Sequence, residues 1–138
     1  MAPVTDIMQV LFIGQTYIDV TFLTDRMPTG DEKHVASAYA VSFGGNAVTA
    51  AFCCAKLGIP PDLLATVADD WLGRMFLDMA ASYRITIHAR KVRTSSLSFI
   101  MPNDGKRAIV RCRDETIFTR SQIARTSSSF HYESRNCC

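Results

Sequence analysis

A paired-glycine turn, Gly44 and Gly45, holds the residues of this sequence that are best suited to ligand chemistry. Two adjacent glycines let the backbone approach a ligand closely and adopt a positive φ. Apolar residues then recur at helical spacing as far as Gly58, so the backbone N–H groups of Asn46 to Thr49 would be unpaired at a helix start. This arrangement predicts a site for a polar or anionic ligand. An alternative that fits the local sequence equally well is that the glycines only form a turn and Asn46 only caps the helix.

An acidic residue, Asp19, is the second candidate for ligand binding. Residues 9–13 form a short apolar run before Gly14, which is typical of a strand buried on both faces of a sheet. Tyr17 and Asp19 follow the carboxyl end of that strand, where open α/β sheets bind their ligands. A carboxylate there can accept hydrogen bonds from sugar-type hydroxyl groups. The alternative is that Asp19 is a solvated loop residue.

Asp69, Asp70, His88 and the cysteines are weaker candidates for a functional site. Asp69 can cap a predicted helix and Asp70 can favour its positive end, so a metal or general-base pair is the less favoured interpretation. His88 lies in an alternating strand, and we assign it no role. The 5 cysteines and 3 histidines show no metal-ligand spacing. We therefore predict no metal site.

The elements that must position Asp19 and the glycines predict an α/β fold with a parallel sheet. Residues 63–67 form a second short apolar strand, and the succession of strand, helix and strand implies a parallel crossover. Gly58, followed by Pro60, ends the first helix, and residues 71–83 trace a second, amphipathic helix. Residues 85–92 predict one further strand.

A small antiparallel flap is predicted beside this sheet. Residues 18–24 and 34–43 indicate two strands, the second of which leads directly into the glycine turn. Residues 97–101 and 107–111 flank an Asp-Gly turn, which is a strong hairpin signal. This hairpin is long enough to join the flap.

Composition indicates one globular domain and argues against two kinds of partner. The chain has 138 residues, of which 48% are hydrophobic and 20% charged, values too apolar for a disordered chain. The net charge of +2 arises entirely in residues 116–138, and the neutral body argues against nucleic-acid binding. No apolar run approaches the ~20 residues needed to cross a bilayer, and residues 1–6 show no signal-peptide pattern. We therefore expect a cytoplasmic protein without a membrane partner.

The sequence pattern changes near Glu115. Residues 116–138 are serine-rich and basic, end in two cysteines and show no sustained helical or strand period. This composition predicts a poorly ordered tail. The predicted division is a folded part of residues 1–115 and a divergent tail of residues 116–138.

In combination, these features resemble the N-terminal half of the PfkB, or ribokinase-like, carbohydrate kinases. The match runs in chain order through Val10-Leu-Phe-Ile-Gly14 with Asp19, Pro28-Thr-Gly-Asp-Glu, Gly44-Gly45 through Leu57-Gly58, Ala68-Asp-Asp-Trp-Leu-Gly73 and the hairpin of residues 94–111. The resemblance implies a partial ribokinase-like α/β fold, with a mostly parallel sheet, flanking helices and a small antiparallel β flap that acts as a lid.

The resemblance also implies a substrate site for a sugar or sugar-like molecule. By this resemblance Asp19, Gly44 and Gly45 contact the sugar, while the lid closes over it and often pairs with the lid of a second subunit. We include Asn46 and Thr49 in the expected site, although Asn46 occupies a variable position and Thr49 stands where the family commonly has Asn. Departures also occur at Tyr17, where ribokinases have Asn, and at Ala68, where Gly is usual. These departures leave the sugar's identity open.

One family motif is absent from this chain. Family members are about twice as long, and their second half carries a Gly-Ala-Gly-Asp motif that supplies the general base and adjoins the ATP site; no such motif occurs here. ATP and Mg²⁺ are implied for the full-length family, but we expect neither to bind well here, and we assign no catalytic residue. We therefore expect a truncated sugar kinase that cannot catalyse phosphoryl transfer alone.

Two further expectations concern the tail and an alternative function. The resemblance stops near Glu115, where the pattern also changes, as a shifted reading frame or a foreign tail would produce. The alternative function is a non-catalytic dimerising or regulatory domain. Such a domain would form a homodimer through the lid strands, because exposed strand edges favour pairing with another chain.

Overall fold

The computed structural model describes residues 10–113 and 118–135, with side chains described as far as residue 128. The strands are β1 (Leu11–Gly14), β2 (Tyr17–Leu23), β3 (Ala38–Gly44), β4 (Asp62–Ala68), β5 (Thr86–Val92), β6 (Ser96–Asn103) and β7 (Lys106–Cys112). The helices are α1 (Asn46–Lys56), α2 (Trp71–Ser82) and α3 (Arg120–Arg135). The predicted tail boundary near Glu115 and the terminal residues 136–138 lie outside the described residues.

A parallel sheet with α1 and α2 on one face forms the body of the protein. Its strands lie in the order β1-β4-β5, and both pairings are parallel. Residues 63–68 of the central strand β4 are all buried, which explains the nearly continuous apolar run in the sequence. Helices α1 and α2 pack on the sheet around a core formed by Val48, Ala51, Leu63, Ala65, Val67, Phe76, Ala80 and Ile85. The predicted α/β fold class is confirmed.

The second sheet, which we call the lid sheet, contains β2, β3, β6 and β7 in the order β3-β2-β6-β7. The predicted hairpin joins the predicted flap, and its turn has positive φ at Asp104 and Gly105. One detail differs from the prediction, because β2 and β6 pair in parallel. Each of these strands continues directly from a strand of the parallel sheet, β1 and β5, so both leave that sheet in the same direction. The sheet is therefore mixed rather than wholly antiparallel.

Three short connections within residues 10–113 lead from the lid sheet to the body of the protein, at residues 15–16, at Gly45 and at residues 93–95. The first and third reach the parallel sheet, and Gly45 leads into α1. The Thr16 N–H donates to Thr66 Oγ1 over 3.0 Å, which ties the first connection to β4. Asp70 holds the third connection, because its carboxylate accepts from the Ser95 N–H at 2.9 Å and from the Ser95 hydroxyl at 2.7 Å. Polar contacts thus attach the base of the lid sheet to the body of the protein.

The N-terminus of α2 corrects one prediction. Asp70, not Asp69, is the N-cap, and its carboxylate accepts from the Gly73 N–H at 2.8 Å. Burial raises the pKa of Asp70, but the hydrogen bonds from Ser95 and Gly73 outweigh burial and bring its pKa below the ordinary value. The Asp69 side chain is exposed and approaches only Arg74, at 3.5 Å.

Helix α3 occupies a segment for which the sequence predicts no regular element. Its start is a capping box, in which Gln122 Oε1 accepts from the Thr119 N–H at 2.9 Å and Thr119 Oγ1 faces the Gln122 N–H at 3.4 Å. The helix lies against β1, and the Phe118 ring before it lies 5.2 Å from the Arg90 guanidinium on β5. Residues 120–135 contain neither Gly nor Pro but are polar on nearly all sides, which explains why no helical period is visible.

Candidate functional site

Asp19 lies on β2 within a row of polar side chains that crosses the lid sheet. Residues directly opposite one another on paired strands project from the same face of a sheet. By the strand register, the row consists of Ser42 on β3, Asp19 on β2, Ser98 on β6 and Arg111 on β7. We call this set the polar row. The alternative in which Asp19 is a loop residue is wrong, because β2 includes it.

The residues one position along each strand project from the opposite face and are apolar. They are Val41, Val20, Phe99 and Val110, and we call this set the apolar row. At this level the lid sheet therefore carries polar side chains on one face and apolar side chains on the other, as period-two alternation allows.

The Asp19 carboxylate is partly buried and incompletely hydrogen-bonded. Within the described part of the chain, its Oδ1 atom is buried and has no hydrogen-bond partner. Gly44 makes room for this carboxylate, because a Cβ atom built on Gly44 would collide with Asp19 Oδ2. The first glycine of the turn thus sets the position of the candidate acidic group.

Gly45 forms the junction between β3 and α1. It is the N-cap residue of α1, with a φ of 104°, and no side chain caps the helix. A Cβ atom at this position would collide with the Gln15 carbonyl oxygen. The proposal that Asn46 caps the helix is therefore wrong, since Asn46 is the first helical residue and its side chain is exposed.

A cavity of about 500 Å³ opens where the carboxyl end of β1 meets the start of α1. Gly45 and Asn46 line it, together with Gln15, Tyr17 and Arg111. Among the other predicted site residues, Asp19 and Gly44 lie next to Tyr17 in the lid sheet. Thr49 is exposed in the first turn of α1, where its N–H donates to the Gly45 carbonyl at 2.9 Å. The structure therefore brings Asp19 and the glycine turn together and leaves Thr49 at the edge.

Arg111 is a site residue that the sequence did not reveal. Its Nε donates to the Ser98 hydroxyl at 3.0 Å, and its guanidinium carbon lies 4.4 Å from the centroid of the Tyr17 ring. The Tyr17 hydroxyl in turn donates to Gln15 Oε1 at 2.6 Å. The hairpin turn at Asp104 and Gly105 indicates that Arg111 pairs with Ser98, but the proximity to Asp19 depends on the distant β2–β6 pairing.

The resemblance implies a metal and a nucleotide for the full-length family, and the described residues give neither group an assigned site. No group of three or more His, Cys, Asp or Glu side chains within the described ranges lies close enough to hold a metal ion. The chain contains no Gly-Ala-Gly-Asp segment. We therefore assign no Mg²⁺ ligand and no ATP contact to this chain.

The helices of residues 10–113 and 118–135 include none that is long and apolar enough to span a lipid bilayer.

The fold places this chain among known structures. Ribokinase from Giardia lamblia matches with a TM-score of 0.69 at 21% identity, over 75% of this chain and 35% of its own. Arabidopsis thaliana ribokinase, solved in complex with ribose and ATP, matches with a TM-score of 0.63 at 21% identity, also over 75% and 35%. These similarities confirm a partial ribokinase-like fold.

The sequence similarity defines the family. The family profile described as pfkB family carbohydrate kinase matches residues 8–122. Mouse (Mus musculus) ribokinase is 24% identical over 124 residues, which are 87% of this chain and 38% of the relative. The chain belongs to the pfkB family of carbohydrate kinases, and it spans little more than a third of the length of these relatives. The match extends beyond Glu115, where the sequence pattern placed its end.

Proposed function

We propose that this chain forms the sugar-binding part of an ATP-dependent carbohydrate kinase. The observation that carries the proposal is the buried Asp19 Oδ1 atom, which has no hydrogen-bond partner among the described residues. Leaving a buried polar atom unpaired costs about 1–3 kcal/mol of stability. Sugar hydroxyl groups would supply the missing donors, so the cost would be recovered only when substrate is bound.

The other predicted residues differ in how directly they would contact the sugar. Gly44 leaves space for the Asp19 carboxylate, and Gly45 brings the backbone of the turn to the cavity wall. The exposed Asn46 side chain lines the cavity and is suited to donate to or accept from a hydroxyl group. Thr49 is exposed at the edge, so we assign it at most a peripheral contact.

The reaction of a complete kinase of this kind is attack of a sugar hydroxyl on the γ-phosphate of ATP. This chain would bind and orient the acceptor sugar, which is one part of the positioning that phosphoryl transfer requires. None of its described residues is assigned as the general base or as a contact to the donor. We therefore propose that the 138-residue chain alone does not turn over.

Binding of neutral and phosphorylated sugars by calorimetry tests the role of Asp19. We expect Asp19→Ala to weaken binding by roughly 10- to 100-fold, because a hydrogen bond to a charged group contributes about 1.5–3 kcal/mol. The free energy of unfolding should not fall, since the lost carboxylate oxygen lacks a partner. Asp78→Ala, at an exposed position on α2, is the matched control. Unchanged affinity in Asp19→Ala would remove Asp19 from the site.

A coupled ATPase assay tests the absence of turnover. The full chain is incubated with MgATP and a panel of sugars, sugar phosphates and nucleosides, and ADP formation is followed. We expect a rate equal to that of the buffer blank. Sugar-dependent ADP formation that persists after further purification would overturn this part of the proposal.

The apolar row favours a second candidate function, self-association through the lid sheet. Val41, Phe99 and Val110 are 46%, 42% and 65% exposed, although they lie side by side across the sheet. The Phe22 ring stacks on Phe99 with an interplanar angle of 5°, so the patch continues along the strands. An exposed apolar surface of this kind is typical of an interaction site.

Light scattering coupled to size exclusion separates the two functions. A second copy of this chain, facing the first through the apolar row, would bury these side chains. We expect Val41→Lys to produce a monomer, whereas Ala40→Lys, exposed on the other face of the same strand, should leave the assembly unchanged. A monomeric unsubstituted chain at high concentration would contradict self-association, and a dimer without sugar binding would favour it over the kinase role.

A further inference from the structure

Asp19 and Arg111 face the same side of the lid sheet without contacting each other. They belong to the polar row and are separated by one strand, β6, so their backbones lie about 10 Å apart. Within the described ranges neither residue takes part in an ion pair. Ser98, between them, is fully buried and accepts a hydrogen bond from Arg111. The row therefore offers a negative and a positive group at separate places.

The guanidinium of Arg111 is held in a defined orientation. Ser98 accepts from its Nε, and the Tyr17 ring lies beneath its central carbon at 4.4 Å. A guanidinium has five N–H donors, and the contact with Ser98 uses one of them. The planar donor pair at the end of the group matches the oxygen spacing of a phosphate or carboxylate.

The cavity wall is electrostatically suited to an anion. Among the described residues that line the cavity, Arg111 is the one with a full charge at neutral pH, and none is Asp or Glu. The other polar groups on the wall are the neutral side chains of Gln15, Tyr17 and Asn46. A volume of about 500 Å³ lies within the range that small-molecule sites occupy.

We propose that the acceptor substrate is an anionic sugar, with hydroxyl groups at Asp19 and a phosphate or carboxylate group at Arg111. This proposal rests on the proposed function, because it adds a second contact to the same sugar site. The spacing of the two residues fits a molecule whose hydroxyl groups and anionic group lie at opposite ends. A neutral sugar would engage Asp19 and leave Arg111 with its contacts to Ser98 and Tyr17 alone.

Calorimetric titration of the full chain tests the substrate class with pairs of ligands. The probes are ribose and ribose 5-phosphate, fructose and fructose 6-phosphate, and gluconate as a sugar that carries a carboxylate. We expect one of the anionic sugars to bind about tenfold or more tightly than its neutral counterpart, as for a charge-assisted contact. Raising the salt concentration should reduce this preference. The phosphate and carboxylate arms distinguish the two sources of negative charge.

Substitutions of Arg111 and Arg107 test whether Arg111 causes the preference for an anionic sugar. Arg111→Met should abolish the preference, so that the anionic sugar binds no more tightly than its neutral counterpart. Arg107→Met is the matched control, since Arg107 is also an exposed β7 arginine, points from the same face and lies outside this cavity. Arg111→Lys keeps the charge without the planar fork and should reduce the preference severalfold. This variant provides the test if Arg111→Met does not fold.

Each outcome decides the proposal. An anionic preference that is lost in Arg111→Met and kept in Arg107→Met supports it. Equal affinity for neutral and anionic sugars, or a preference that survives in Arg111→Met, overturns the anionic subsite and leaves the sugar-binding function intact. Absence of binding by every probe overturns the sugar-binding function and this inference together.

Discussion

Replacing Asp70 with alanine should destabilise the protein far more than replacing its neighbour Asp69, the other residue that connects β4 to α2. The Asp70 carboxylate accepts three hydrogen bonds, from the Gly73 N–H and from the N–H and hydroxyl of Ser95. The first bond caps α2, and the other two hold the connection between β5 and the lid sheet. Asp70→Ala removes all three and leaves the Ser95 donors without their acceptor.

The magnitude follows from these contacts. Loss of an N-cap costs about 1 kcal/mol. Each bond from Ser95 to the carboxylate would contribute about 1.5–3 kcal/mol if fully buried, and we take about 1 kcal/mol because the site is only partly buried. The total is about 3 kcal/mol, which is a large fraction of the ~5–15 kcal/mol that stabilises a typical domain. For a chain of this size the melting temperature should fall by about 10 °C.

The control is the neighbouring residue. The Asp69 side chain is 89% exposed and lies 3.5 Å from an exposed Arg74 side chain, so Asp69→Ala should cost at most about 0.5 kcal/mol. Urea and thermal unfolding of both variants, followed by circular dichroism, measure the difference. If Asp69→Ala proves as destabilising as Asp70→Ala, Asp70 is not the main cap of α2. The result would then favour the assignment made from the sequence, in which Asp69 caps the helix.

Two further predictions concern pH and the glycine turn. Because the folded-state pKa of Asp70 lies below its ordinary value of 3.8, its stabilising contribution is present above about pH 4 and is lost as the pH falls through the folded pKa. The difference in unfolding free energy between the unsubstituted chain and Asp70→Asn should therefore shrink between pH 5 and about pH 2, and a constant difference in urea titrations would contradict this. Gly45→Ala should cost roughly 2–4 kcal/mol, because the new Cβ meets the Gln15 carbonyl in addition to the strain of a positive φ. Gly58→Ala, which also has a positive φ but no atom within 4 Å of the new Cβ, should cost only about 1 kcal/mol, and equal losses in the two variants would refute the steric argument.

Local patterns in the sequence predicted the elements that carry the site. The apolar runs of β1 and β4, the helical spacing of α1 and the Asp-Gly turn of the lid hairpin are all short-range signals, and each element is present. The importance of Gly44 and Gly45 as sites of close backbone approach was also visible, since few other residues tolerate such positions.

Long-range pairing explains most of what the sequence did not reveal. The polar row exists only because β2 and β6 lie side by side, although β3, α1, β4, α2 and β5 separate them in the chain. Neither Ser98 nor Arg111 carries a local signal that relates it to Asp19. The sequence predicted Asp69 as the cap of α2, whereas the cap is Asp70; helix boundaries predicted from sequence are uncertain by one or two residues. The Thr119–Gln122 capping box is a local signal for the start of α3, but it stands before a segment without helical periodicity.

The three short connections beneath the lid sheet have a mechanical consequence. The 8 residues of β6 extend about 26 Å from the connection at Ser95 to the hairpin tip. Rotation of this sheet by roughly 10° about its base would move the tip by about 4–5 Å but Ser98 by less than about 2 Å. A ligand bound at Asp19, as proposed, would lie near this base, where its contacts change less with rotation than contacts at the tip do. Capture of a ligand and movement of the tip can therefore be observed as separate events, the second with a fluorescent label at Asp104.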